Sequence, residues 1–240
     1  MNNKQIHLVT FSNKEPFITG QKKLNSTYKN AKISTHTMWN NIDIEHTEFY
    51  KININFFTKY KNIGFGLFIW KPFIIYQKLL EIPDGDYIYY QDSSRYDFSG
   101  LDMDITPVCD FMEQNNIQLL PGFIINKPNY SLIKKECLEY MGYSEDQNFL
   151  NSDHYQTSPM IFKKTTDTTN FIKEWLEFCQ IPQCIVKNTK FHQCDQAIMN
   201  ILLDKYNFKG LLETTDKNES KLYSAYWKKM LKYIENNKIH

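Results

Sequence analysis

Residues 71–92 read KPFIIYQKLLEIPDGDYIYYQD, and no other stretch constrains the fold as tightly. Pro72 suits the first turn of a helix, the apolar run to Ile82 continues it, and Pro83-Asp84-Gly85-Asp86 ends it with strong turn chemistry. Tyr87-Ile88-Tyr89-Tyr90 then reads as a strand that carries Asp92 at its end. A helix that turns tightly into a buried strand is the unit from which α/β sheets are built.

The rest of the chain repeats that alternation. Ile6–Ser12 reads as a buried first strand followed by a loop through Pro16 and Gly20, and Ile117–Ile125 as one or two strands. Ser158–Lys164 looks like another strand. Helices are expected over Asp104–Asn116, over Ser131–Gly142 with Ser131 as N-cap and Gly142 as stop, over Asn170–Cys179, and from Asp195 to Tyr206. The expectation is one α/β domain over residues 1–240, a mixed sheet flanked by helices, with an amphipathic helix at 217–240.

Composition excludes several alternatives. A net charge of +1 is too neutral for a general nucleic-acid binder, so no nucleic-acid partner is expected. No run approaches the length needed to span a bilayer, and the N-terminus does not read as a signal peptide, which points to a cytoplasmic protein. The five cysteines lack CxxC pairs, so reduced thiols are the plain reading. Abundant Asn, Lys and Ile suit an AT-rich coding genome, such as that of a large DNA virus or an AT-rich microbe.

Ligands of open α/β sheets collect at the carboxyl ends of strands. Asp92 stands at such an end, where a carboxylate can hold a divalent cation, and Ser93 and Ser94 can add hydroxyls. Arg95, the single arginine, offers a planar fork that suits either a phosphate or a structural bridge to Asp92 or Asp97. The literal D-x-D, Asp102-Met103-Asp104, reads instead as the start of a helix with Pro107 in its first turn. Trp70 and Lys71 precede Pro72 at a helix N-terminus, where a phosphate fits; the simpler reading has Trp70 in the core and Lys71 solvated. Gly64 and Gly66 permit tight backbone paths. Asp195 and Gln196 open a helix as catalytic candidates or as ordinary capping residues, and His154 and His192 are open between base, metal ligand and structural histidine. Tyr223, Tyr226, Trp227, Met230, Leu231 and Ile234 form one helical stripe that suits packing on the domain itself, with peripheral membrane contact as the alternative.

Taken together, IGFGLFIWKPFIIYQKLLEIPDGDYIYYQDSS, SPMIFKK with FIKEWLEFC, and FHQCDQAIMNILLDKYN resemble the small GT-A-type glycosyltransferases of bacterial polysaccharide loci and large viruses. The resemblance runs in order over about residues 60–208. It implies a GT-A fold, a UDP- or GDP-sugar donor, a glycan or lipid-linked acceptor, and Mn2+ or Mg2+. Asp92 takes the place of the metal- and nucleotide-binding carboxylate, with Ser94 beside it; Lys71 falls in the W-K-P block, and Asp195 with Gln196 in the D-Q block that faces the reacting sugar. Thr10 and Phe11, at the end of the first strand, are expected to hold the nucleotide base. The family's second metal carboxylate is absent from Asp92-Ser93-Ser94, and its H-R-x-D-Q arginine is Gln193 here; Arg95 can offset the first loss with fixed positive charge.

Overall fold

Strand β1 (Ile6–Ser12) is buried along its whole length because it has a neighbour on each side. Strands β2 (Thr35–Asn40) and β3 (Tyr87–Tyr90) both pair with it in parallel. Beyond β3 the direction reverses: β7 (Met160–Lys163) runs antiparallel to β3, and β4 (Leu119–Leu120) antiparallel to β7. The order is β2-β1-β3-β7-β4, a mixed sheet, with a separate ribbon of β5 (Ile124–Pro128) and β6 (Asp153–Tyr155). The computed structural model describes residues 4–93, 101, 103–187, 191–210 and 222–237.

The pleat sorts side chains into two cores. Ile6, Leu8, Tyr87, Tyr89 and Ile161 face one side, where Leu24 of α1 (Phe17–Thr27), Val108 and Met112 of α7 (Thr106–Gln114), and Trp227, Met230 and Ile234 of α13 (Leu222–Asn236) cover them. Val9, Phe11, Ile88, Tyr90 and Phe162 face the other side, under α6 (Trp70–Glu81), α10 (Thr166–Cys179) and α12 (Asp195–Lys205). The fold is therefore α/β, with helices on both faces of the sheet.

Several local expectations change. Gly20 lies inside α1 rather than in a loop, since the helix begins directly after Pro16. Ser131 does not cap a helix; it closes a short 3-10 turn, its hydroxyl donating to the Pro128 carbonyl (2.8 Å), and α8 (Lys135–Met141) starts after Lys134. Gly142 does stop α8, at φ 79°. Strand β2, at the sheet edge, carries no apolar alternation, so its THTMWN sequence gave little signal. Helix α7 begins at Thr106 with Pro107 in its first turn, but Ile105 takes the N-cap position; Asp104 sits just ahead, its Oδ1 accepting from the Thr106 N–H (2.9 Å) and hydroxyl (2.7 Å), and Asp102 lies outside the described residues.

Of the stripe on α13, Trp227, Met230 and Ile234 pack on the sheet with Leu231 partly buried beside them, while the Tyr223 and Tyr226 side chains lie outside the described residues. Trp227 is 1% exposed and its Nε1–H donates to the Tyr89 hydroxyl (2.9 Å), which leaves Lys228, Lys229 and Lys232 facing outward. No helix among the described residues is long and apolar enough to cross a membrane.

Candidate active site

Chain order and sheet order together define a crevice. From β1 the chain crosses to β2 on one side and then to β3 on the other, so the outward connections diverge beyond the carboxyl ends of β1 and β3. A cleft of about 410 Å3 opens there, lined by Phe11 and Ser12 from the end of β1 and by Asp92 and Ser93 from the end of β3.

Its aromatic wall depends on an unusual piece of backbone. In α5 (Gly64–Leu67) and the following Phe68, all five residues have positive φ, from 49° to 83°, so the chain makes one left-handed helical turn. Phe65, Leu67 and Phe68 each carry a cost of roughly 1–2 kcal/mol in this conformation. Packing holds it: Phe65 and Leu67 are buried, and the Trp70 Nε1–H donates to the Gly64 carbonyl at 2.8 Å. Trp70 in turn stacks on Phe11, ring centroids 3.8 Å apart. Trp70 thus belongs both to the core and to the cleft wall.

Lys71 is not solvated. It is 3% exposed, and its Nζ lies 3.4 Å from Asp92 Oδ1, 3.4 Å from Asp195 Oδ2 and 2.9 Å from Thr157 Oγ1, to which it donates. The rings of Phe68 and Tyr90 lie 5.6 and 5.4 Å from the ammonium. Burial by itself would lower the Lys71 pKa, but the carboxylates of Asp195 and Asp92 outweigh it and the net shift is upward. Lys71 stays charged.

The two carboxylates differ. Asp92 keeps 42% of its side chain exposed, its N–H donates to Ser158 Oγ (2.8 Å), and the Tyr90 hydroxyl donates to its Oδ1. Asp195 is almost wholly buried at the start of α12, where Trp175 Nε1–H donates to its backbone carbonyl (2.9 Å) and Cys194 precedes it at φ 49°. Its Oδ2 accepts no hydrogen bond among the described residues; the Lys71 ion pair is its compensation. Burial raises the Asp195 pKa to about 6, Lys71 opposing and Asp92 reinforcing the shift. Gln196 is buried beside it, 9% exposed.

Other sequence candidates take different places. Thr10 is fully buried on the opposite face of β1 from Phe11, its hydroxyl bonded to His36 Nε2 (2.8 Å) and accepting from Gln21 Nε2 (3.0 Å), so it offers no surface to a base. Ser93 lines the cleft with a buried hydroxyl that has no hydrogen-bond partner among the described residues. Ser94 and Arg95 lie outside the described residues, as does Asp97. His192 donates from Nε2 to the Cys184 carbonyl (2.7 Å) and accepts the Lys134 N–H at Nδ1 (3.3 Å), while His154 bridges Asn129 Oδ1 (2.7 Å) and Asn200 Nδ2 (3.2 Å). Burial pushes their pKa values down to about 4 and about 3, so both are neutral structural histidines.

The structure adds residues that sequence reasoning passed over. Lys14 and Lys61 stand on the cleft with Asn13, Asn62 and Phe17, and Thr157 and Ser158 bind Lys71 and Asp92 from the start of β7. A polar pair directly before a strand that abuts β3 was the available signal for the last two.

No protein-family model matches the chain, and no curated protein matches it significantly. Among solved structures, it is similar to the WbbM bifunctional glycosyltransferase in its apo form, with TM-score 0.48 and 12% identity over 95% of this chain and 44% of that one. It is also similar to core-mannan synthase A (CmsA/Ktr4) from Aspergillus fumigatus in a Mn/GDP form, with TM-score 0.43 and 9% identity over 84% and 70%. The chain thus spans less than half the length of the WbbM structure.

Proposed function

We propose that the chain is a GT-A-type glycosyltransferase that moves a sugar from a nucleotide-diphospho-sugar to a hydroxyl of a glycan or lipid-linked acceptor. The observation that carries this reading is the Lys71 ammonium fixed between Asp92 and Asp195 at the switch point of the sheet, beside an aromatic cleft bearing Lys14 and Lys61.

The division of labour follows from exposure and charge. Phe11, Phe68 and Trp70 supply flat apolar surface for a base, and Asn13 and Asn62 supply amides. Lys14 and Lys61 favour an anionic donor over a neutral one. Lys71, already charged and held without reorganisation, favours negative charge developing on the leaving diphosphate. Ser93, whose hydroxyl has no partner among the described residues, offers it to the donor. Asp195 either orients the donor sugar or, in an inverting course, takes the proton of the attacking hydroxyl as the new glycosidic C–O bond forms and the bond to diphosphate breaks.

Asp92 fits one protein ligand position for Mn2+ or Mg2+, because a carboxylate with a large exposed fraction stands at the cleft. Among the described residues no group of three or more His, Cys, Asp or Glu is placed to hold a metal ion unaided, so donor oxygens would complete the shell. When bound, such an ion supplies charge neutralisation for the departing diphosphate.

The test is hydrolysis and transfer with a panel of UDP- and GDP-sugars, with and without Mn2+, on the wild type and Asp92→Ala. Turnover that disappears in Asp92→Ala is expected. Full activity in that variant would remove Asp92 from the site, and calorimetric donor binding with no turnover for any acceptor would make the chain a binding protein instead.

A further inference from the structure

A second cleft, of about 570 Å3, lies toward the opposite end of α12 from Asp195, against β6 and α9 (Gln147–Asn151). Asn148, Asn207, Asp153 and Asp204 supply exposed amides and carboxylates to its wall, and the half-buried rings of Tyr155 and Phe208 supply flat apolar surface. Its floor is fixed by buried hydrogen bonds: Asn200 Oδ1 accepts the Tyr155 N–H (2.7 Å), Asn200 Nδ2 donates to the Tyr155 carbonyl (2.9 Å), and His154 ties Asn200 to Asn129.

Charge narrows the ligand class. Among the described residues, Asp146, Asp153 and Asp204 share this wall with Lys209 as its one cation, so the described lining is net negative and disfavours phosphates and acidic sugars, whereas the donor cleft sets Lys14 and Lys61 against Asp92. The carboxylates are not grouped to hold a metal ion among the described residues. Paired amide and carboxylate groups match vicinal hydroxyls, and flat rings match the C–H faces of a pyranose.

We propose that this cleft binds an uncharged glycan chain. Asp195 and Asp204 stand nine positions apart on α12, about 14 Å along its axis, so a chain held here can extend toward the reaction centre. That the bound chain is the acceptor rests on the glycosyltransferase reading; the binding itself does not.

The experiment titrates the full chain calorimetrically with uncharged hexasaccharides of glucose, mannose, galactose and N-acetylglucosamine, and separately with UDP and GDP. Asn148 and Asp153 are exposed and their side chains make no hydrogen bond among the described residues, so Asn148→Ala/Asp153→Ala should fold normally. Binding of at least one hexasaccharide is expected, weakened at least tenfold by the double substitution, with nucleotide affinity unchanged. In transfer assays the same variant should raise KM for long acceptors and leave kcat and short acceptors unaffected. The proposal is overturned if no hexasaccharide binds, or if binding survives the double substitution. Failure of UDP and GDP to bind, by contrast, would count against the glycosyltransferase reading and leave the glycan titration to decide this cleft.

Discussion

The Lys71 ammonium lies 3.4 Å from Asp195 Oδ2, and both side chains are withdrawn from solvent. Neither charge is stable there alone. A buried pair of this kind is weak evidence for added stability, but breaking it leaves an uncompensated charge in the interior.

Lys71→Met should therefore cost about 3–5 kcal/mol at pH 8, where Asp195 is ionised, and clearly less at pH 5. Asp195 binds its proton more tightly folded than unfolded, its pKa moving from 3.8 to about 6. Its contribution is thus fully present below about pH 4 and is lost as pH rises through about 6. Urea denaturation at the two pH values measures this, and an equal loss at both would show that Asp195 does not feel Lys71.

Asp195→Asn keeps the shape and removes the charge. If Asp195 accepts the acceptor proton, kcat falls by about 100-fold or more while donor affinity changes little. A variant whose kcat holds while donor affinity drops would assign Asp195 to sugar positioning alone.

The left-handed turn at Gly64–Phe68 should resist substitution. At Gly66, φ is 83° and an added Cβ would meet Phe57 Cδ1 at 2.9 Å, so Gly66→Ala should destabilise by about 1–3 kcal/mol. Because the turn forms the aromatic wall, nucleotide affinity should fall with it. Thermal melts and calorimetry on the variant report the two effects, and an unchanged Tm would mean that the turn adapts freely.

Acid should weaken the fold through its buried histidines. His154 and His192 have pKa values lowered to about 3 and about 4 from 6.5, so their contribution is present above pH 6.5 and is lost as pH falls toward those values. Each costs about 1.4 kcal/mol per pH unit, as does half-buried His36, whose pKa burial lowers to about 4, and Asp195 returns a similar amount between pH 6 and 4, leaving a net loss of about 2.8 kcal/mol per unit. Denaturation midpoints at constant slope between pH 6 and 4 test this; stability that is flat or rising on acidification contradicts it.

Much of the scaffold was legible because its signals are local. The buried run of β1, Pro72 in the first turn of α6 and its Pro83–Asp86 stop, the aromatic YIYY run of β3 and the Gly142 stop need only short stretches of chain, although α6 opens two residues ahead of Pro72, at Trp70. Strand β2 was illegible because an edge strand can carry polar residues on both faces, and Ser131 misled because a hydroxyl before a helical pattern can serve a turn as well as a cap.

By itself the sequence determined that helices and strands alternate, that Asp92 ends a strand and that Asp195 begins a helix, since periodicity and turn chemistry reside in neighbouring residues. Only the tertiary structure decided that Lys71 is buried between these two carboxylates, that Thr10 faces away from the cleft and that His154 and His192 are structural. Burial and partner distance depend on which distant segments meet: Lys71 finds Thr157 and Asp195 far along the chain, and no local pattern encodes the desolvation that sets the charge of each group.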